Sequence, residues 1–260
     1  MPAEHITTRV DGHVLHIGVD RPDKRNAFDR EMNAALAEAY HRLATEDDLR
    51  VGVLHAEGDH FSAGLDLADV GPAVASGEPY IPPGMTDPYG VWGPACPKPV
   101  VMAVQGIAFT LSIELALAAD IVIAADDVRF AQLEIARGIV PFGGATIRAA
   151  GHLGWGNAMR FLLTAEEFGA EEALRIGLVQ EVVPAGTQRE RATEIAERIA
   201  AMAPLGVQAT LRQARLARDE GTGAAIRDMR QSLQGIMTSE DAAEGLASFV
   251  ERREGRFTGR

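Results

Sequence analysis

Two glutamates stand where a carboxylate is hard to accommodate. Glu114 lies in SIELALAA with Ile113, Leu115, Ala116, Leu117 and Ala118 around it, and Glu134 follows in another apolar setting, FAQLEIARGIV. An ionised carboxylate is rarely withdrawn from water without a partner or a task. Burial raises a carboxyl pKa and a second acid nearby raises it further, so one of a close pair can keep its proton near neutral pH. An acid and a base straddling one water molecule could add that water to an activated double bond. The residues alone leave a plainer alternative open, in which Glu114 pairs with an arginine and Glu134 is a surface side chain.

Backbone groups could contribute at two further places. The turn FSAG leads into Leu65, and FT leads into Leu111 and the helix carrying Glu114. Both read as helix starts, where N–H groups lack partners and the dipole is positive. Two such amides converging on one point would form an oxyanion hole for a carbonyl turning into an enolate.

The elements that must position these groups follow from periodicity. Residues 100–125 read as strand–helix–strand: β-branched VVMAV, helix-like SIELALAA, then DIVIAA. The run is long enough to span a bilayer, but Gly106, Glu114 and Asp120 interrupt it, and a buried α/β core fits it better. Upstream, ITTRV and HVLHIGVD form a hairpin about Asp11-Gly12. Within it His13 and His16, three apart in a strand, point to opposite faces and suit no metal. Asp29 caps a helix running to about Thr45 with Met32, Leu36, Ala39 and Leu43 on one face. Residues 50–56 form a buried strand.

Residues 71–99 hold eight of the 13 prolines and read as a long functional loop, with Tyr80, Tyr89 and Trp92 available to pack over a ligand. Beyond residue 140 a Gly-rich stretch turns helical, AEEALRIG is a short helix ended by Gly177, and LVQEVVP is a strand. Four helices follow, over about residues 187–202, 204–219, 222–237 and 239–253. Pro204 starts one of them, and Ser239 with its neighbours caps the last.

Composition narrows the partners. A net charge of −12 and a pI near 5.0 argue against nucleic acid or an anionic membrane. One cysteine, Cys96, leaves no intramolecular disulfide and suggests a reducing, cytoplasmic compartment. The opening MPAEHITTRVDG lacks the apolar core of a signal peptide.

Six segments, in order, resemble the crotonase (enoyl-CoA hydratase/isomerase) superfamily: RPDKRNAF, FSAGLDL, KPVVMAVQGIAFTLSIELALAADIVIAADDVRFAQLE, GIVPFGGATIR, EEALRIGLVQEVVP and AAEGLASFVERREGRF. The resemblance implies an α/β fold: a crotonase-type spiral of ββα units over residues 1–200, with a C-terminal helical trimerisation region over 201–260. It implies a homotrimer or a dimer of trimers, and an acyl-CoA thioester substrate with no metal or redox cofactor, coenzyme A entering as part of the substrate.

Carried over by position, Leu65 and Leu111 supply the oxyanion amides. Ala63 accepts from the adenine through its carbonyl, and Asp66 and Leu67 continue the CoA turn. Lys24, Arg25 and Arg252 approach the nucleotide end of CoA. Glu114 and Glu134 fall on both catalytic positions of the hydratases. The implied reaction is syn hydration of a trans-2-enoyl-CoA to a (3S)-3-hydroxyacyl-CoA. The alternatives are a Δ3,Δ2-enoyl-CoA isomerase, a C–C hydrolase or lyase of the same superfamily, or a non-catalytic acyl-CoA-binding subunit. Thr110-Leu111-Ser112 and Phe142 stand where hydratases carry glycine, so a narrowed acyl pocket or a shifted oxyanion hole is expected.

Overall fold

The computed structural model describes residues 5–260; Met1–Glu4, and with them the first part of the opening segment, lie outside the described residues. The elements run β1 (Ile6–Asp11), β2 (Val14–Val19), α1 (Arg30–Thr45), β3 (Val51–Ala56), α2 (Leu67–Ala75), β4 (Val100–Val104), β5 (Ile107–Phe109), α3 (Leu111–Ala118), β6 (Ile121–Ala125) and β7 (Arg129–Ala131). They continue with α4 (Ala145–Leu153), α5 (Trp155–Thr164), β8 (Phe168–Gly169), α6 (Ala170–Ile176), β9 (Glu181–Val183), α7 (Gln188–Ala200), α8 (Pro204–Asp219), α9 (Thr222–Met237) and α10 (Glu240–Glu251).

The main sheet has the order β1-β2-β3-β4-β6-β9, parallel except for the β1–β2 hairpin. A small second sheet has the order β5-β7-β8. The chain alternates between them: β4 then β5 then α3, β6 then β7 then α4. The turn after β3 joins the same pattern through a parallel bridge from Ser62 to Ala108, and Phe28 does so through one to Leu65. Each coil of the chain thus gives a strand to the main sheet, a short extended piece to the second layer, and a helix. This is the expected ββα spiral, and it stacks the starts of successive helices beside one another.

Alternation along the strands builds two cores. Leu15, Ile17, Leu54 and Met102 face α1, where Met32, Leu36 and Leu43 are fully buried. Val14, Val51, Val53, Val101 and Ile123 face α7, whose Ala192, Ala196 and Ala200 let the helix lie close. Both faces are covered, as a parallel sheet requires. The Asp29 cap is present, its Oδ1 accepting from Met32 N–H at 2.9 Å, and Ser239 Oγ accepts from Ala242 N–H at 3.0 Å. α8 is tied to the core by Arg215, which pairs with Asp120 at 3.0 Å and donates to the Cys96 carbonyl.

Three local expectations shift. The hairpin closes one residue later, at Gly12-His13, with Gly12 at φ +54°. The helix placed near Leu65 begins at Leu67, because the bridge to Phe28 holds Leu65 extended. That helix continues through Gly71 and Pro72, so the irregular segment starts only after Ala75. Among the described residues, no helix is long and apolar enough to cross a membrane.

Candidate active site

The FSAG turn is stitched to β5 at both sides of Ser62: its N–H donates to the Ile107 carbonyl at 3.0 Å, and its carbonyl accepts from Phe109 N–H at 3.0 Å. Ser62 Oγ donates to the Asn26 carbonyl at 2.7 Å and accepts from Gly64 N–H at 3.0 Å. Gly64, at φ +109°, abuts Thr110 Oγ1 so closely that a Cβ there would overlap the hydroxyl. Beyond it, Phe28 N–H donates to the Gly64 carbonyl and Asp66 N–H to the Phe28 carbonyl. Those bonds fix Leu65 on both sides and leave its own N–H without an acceptor among the described residues.

Thr110 faces this turn with φ 51° and ψ −108°, a positive-φ conformation that glycine usually fills. Its N–H donates to the Ala131 carbonyl at 2.9 Å, and its carbonyl accepts from Ile113 and Glu114 N–H. Leu111 follows as the first residue of α3, its N–H again without an acceptor among the described residues. Two amides without acceptors among the described residues therefore lie on abutting turns, and two such donors would make an oxyanion hole if they converge on one point. The Leu111 side chain is 1% exposed and belongs to the main core.

Glu114 sits one turn into α3 and is 3% exposed; Glu134 opens a 3-10 turn, Glu134–Arg137, and is 7% exposed. No arginine forms a salt bridge with Glu114 among the described residues. Its Oε1 instead accepts from Gly143 N–H at 2.7 Å and Ala145 N–H at 3.2 Å, the latter the first amide of α4. Burial pushes the Glu114 carboxyl up to about 7; the Ala145 bond opposes this, the Glu134 charge adds to it, and the Gly143 bond and Arg148 oppose it. Burial also raises Glu134, against the hydrogen bond that Gln132 Nε2 donates to its Oε1 at 2.9 Å. Glu134 Oε2 is buried with no partner. Bound at one oxygen and free at the other, each carboxyl has one atom left for chemistry.

Gly143 has no room for a side chain, since a Cβ would meet the Glu114 carboxylate on one side and the Tyr89 ring on the other. Tyr89 is fully buried, its hydroxyl 3.0 Å from Asn33 Oδ1, so it is a wall of the site rather than a cover over it. Tyr80 donates to the same Asn33 oxygen at 3.3 Å and stands edge-on to Phe142, with ring centroids 5.2 Å apart. Trp92 Nε1 donates to the Phe142 carbonyl at 3.0 Å. Phe142, Tyr80 and Trp92 form one side of a cavity of about 800 Å³, and Leu67, Val70 and Val74 of α2 form the other. Phe142 lines this cavity and is followed by Gly143, whose N–H holds Glu114.

The remaining sequence-selected residues divide. Ala63 and Arg25 adjoin, Ala63 N–H donating to the Arg25 carbonyl at 2.9 Å. The Lys24 and Arg25 side chains carry no ion pair among the described residues. Asp66 is the residue before α2, 3.9 Å from Arg21, and Leu67 turns into the apolar cavity. Arg252 is exposed at the end of α10, and no hydrogen bond or ion pair joins it to the other site residues. Sequence reasoning missed Gly143, Ala145, Gln132 and Asn33. The PFGG stretch was the one signal for the first two; Gln132, two residues before Glu134, had none beyond its apolar setting.

The profile of the Enoyl-CoA hydratase/isomerase family matches residues 9–260. The chain is 33% identical to a carnitinyl-CoA dehydratase of Escherichia coli K12, covering 98% of both chains. It is also 33% identical to an (E)-benzylidenesuccinyl-CoA hydratase of Thauera aromatica, over 98% of this chain and 99% of the other. Among solved structures, a probable enoyl-CoA hydratase/isomerase from Mycobacterium abscessus is 52% identical over 99% of both chains, with a TM-score of 0.96. An enoyl-CoA hydratase from Mycobacterium tuberculosis H37Rv is 32% identical over the full length of both, with a TM-score of 0.87. With this fold and these relatives along its whole length, the chain belongs to the enoyl-CoA hydratase/isomerase family of the crotonase superfamily.

Proposed function

We propose that this enzyme is an enoyl-CoA hydratase, adding water syn across a trans-2-enoyl-CoA to give a (3S)-3-hydroxyacyl-CoA. The observation that carries the reading is the pair of buried, pKa-raised carboxyls, each held at one oxygen and open at the other. The Leu65 and Leu111 amides would take the thioester oxygen. Ionised Glu114 accepts a proton from water as its oxygen bonds to C3. The C2–C3 π electrons move toward the thioester, whose oxygen becomes an enolate anion under the two N–H donors. In the state of the pair whose one proton sits on Glu134, that proton is then delivered to C2 from the same face. One water is consumed, the carboxyls exchange charge states, and the step is redox-neutral, so it calls for no cofactor beyond the CoA on the substrate.

Ala63, Lys24, Arg25 and Asp66 would hold the CoA moiety beside the Leu65 turn, with Arg252 reaching its phosphates from the C-terminal region. Residues 201–260 would build a homotrimer or dimer of trimers. In support, Ile226, Met229, Leu233 and Met237 form an exposed stripe on α9, at spacings that share one helix face. A single buried cysteine suits a cytoplasmic setting.

Incubation with enoyl-CoAs in doubly labelled water, read by mass spectrometry, tests the reading. Uptake of both solvent oxygen and deuterium supports hydration. Deuterium uptake without added oxygen would refute it in favour of isomerisation, and chain cleavage in favour of a lyase or hydrolase.

A further inference from the structure

Hydration fixes what happens at C2 and C3 and leaves the rest of the acyl group open. The cavity lined by Leu67 and Phe142 speaks to that group. Of its lining, Leu67 is two residues along the chain from Leu65, and Phe142 precedes the Gly143 whose N–H holds Glu114. On the hydratase reading, an acyl chain with its carbonyl under the amide and C3 at Glu114 would extend its tail past Phe142 toward this space.

The lining is hydrocarbon. Leu67, Val74, Trp92 and Val140 are 41%, 41%, 56% and 60% exposed, and all four converge on this cavity. Large apolar side chains left open together mark a surface meant to be covered. Glu78 is the one ionisable carboxylate on the lining, and it is committed to Arg30 at 3.2 Å and to Ser76 Oγ at 3.1 Å. No lysine, arginine or histidine lines the space. A charged acyl terminus would lose water there and gain no partner, whereas about 800 Å³ admits far more than a four-carbon chain.

Resting on the hydratase reading for the orientation of the thioester, we propose that this cavity selects enoyl-CoAs with bulky, uncharged hydrocarbon tails. Aryl, branched or medium-length chains are accepted in preference to short or charged acyl groups.

Calorimetry with saturated thioesters tests the selection without turnover. The probes are butyryl-, octanoyl-, 3-phenylpropanoyl- and glutaryl-CoA. One buried methylene is worth about fourfold in affinity. Octanoyl- and 3-phenylpropanoyl-CoA are therefore expected to bind at least roughly tenfold tighter than butyryl-CoA, and glutaryl-CoA no tighter than butyryl-CoA. Val74→Asp, on the partly exposed side of α2, should remove most of the phenylpropanoyl advantage. Affinities within about twofold across the wild-type series, or glutaryl-CoA binding tightest, would overturn the proposal even if crotonyl-CoA is hydrated. Graded apolar binding with no hydration of the matching enoyl-CoAs would keep the cavity assignment and overturn the hydratase reading instead.

Discussion

Replacing Glu114 by glutamine should leave a protein that is inactive and more stable. The carboxyl has a pKa of about 7 in the fold against 4.5 in an unfolded chain. Folding therefore retains a proton that the unfolded chain surrenders: the favourable contribution is complete below pH 4.5 and is lost as pH rises to about 7. At pH 8 the ionised, buried group costs the fold about 3 kcal/mol. Glutamine is neutral throughout, and its Oε1 can still accept from Gly143 and Ala145 N–H, so the amides at the start of α4 stay satisfied. Glu114→Gln should thus gain on the wild type by about 2–3 kcal/mol between pH 5 and pH 8. Denaturant unfolding of both proteins at the two pH values measures this. Hydration should meanwhile fall by at least about 10²-fold, the loss of a general base. A variant less stable than wild type at pH 8, or shifted by the same amount at both pH values, would refute the account of a costly ionised carboxylate.

The other expectations concern titration and backbone. The kcat of hydration should rise with pH through about 7 as Glu114 ionises, and a steady-state profile on a well-accepted enoyl-CoA reads it. Thr110→Gly should stabilise by about 1 kcal/mol, because it relieves a φ of +51° and removes a buried hydroxyl with no partner. Gly64→Ala should destabilise by about 2 kcal/mol or more alone and by less in the Thr110→Gly background, where the overlapping hydroxyl is gone; unfolding of the double-mutant cycle measures the difference. His55 is pushed down to about 3 by burial and by Arg189, His16 and Arg9, so its depressed pKa withdraws stability as pH falls below 6.5. His55→Leu should recover about 3 kcal/mol of the loss between pH 7 and pH 4, seen as a flatter dependence of the unfolding midpoint on pH.

What was legible before the structure was whatever announces itself within one segment. Glu114 stood out because its own neighbours are apolar, and the helix carrying it lies where its helix-forming residues placed it. Asp29 and Ser239 announced their caps for the same reason. The donors that hold Glu114 were not legible, since they come from a turn 29 residues further along the chain and act through backbone N–H groups that any residue but proline carries. The small sheet was missed because β5, β7 and β8 are three residues or fewer, too short for alternation to show. Tyr89 was assigned to a cover over the ligand on its loop composition, yet its partner, Asn33, lies in α1, and only the tertiary fold brings the two together.

Thr110-Leu111-Ser112 carries the same lesson in reverse. Three side chains in place of glycines suggest an obstructed site when the segment is considered alone. In the fold the Leu111 and Ser112 side chains are both buried, 1% and 0% exposed, Leu111 in the main core and Ser112 Oγ donating toward the Ser62 carbonyl at 3.4 Å. Thr110 meets the neighbouring turn as well, against Gly64, a residue with no Cβ to displace. The glycine needed at this junction has in effect been kept on one side of the contact and given up on the other. An oxyanion hole asks only that two N–H groups stay free and aimed together; it sets no requirement on side chains that turn inward. The strain at Thr110 is the local cost of that exchange, and its relief by Thr110→Gly should leave the two amides where they are.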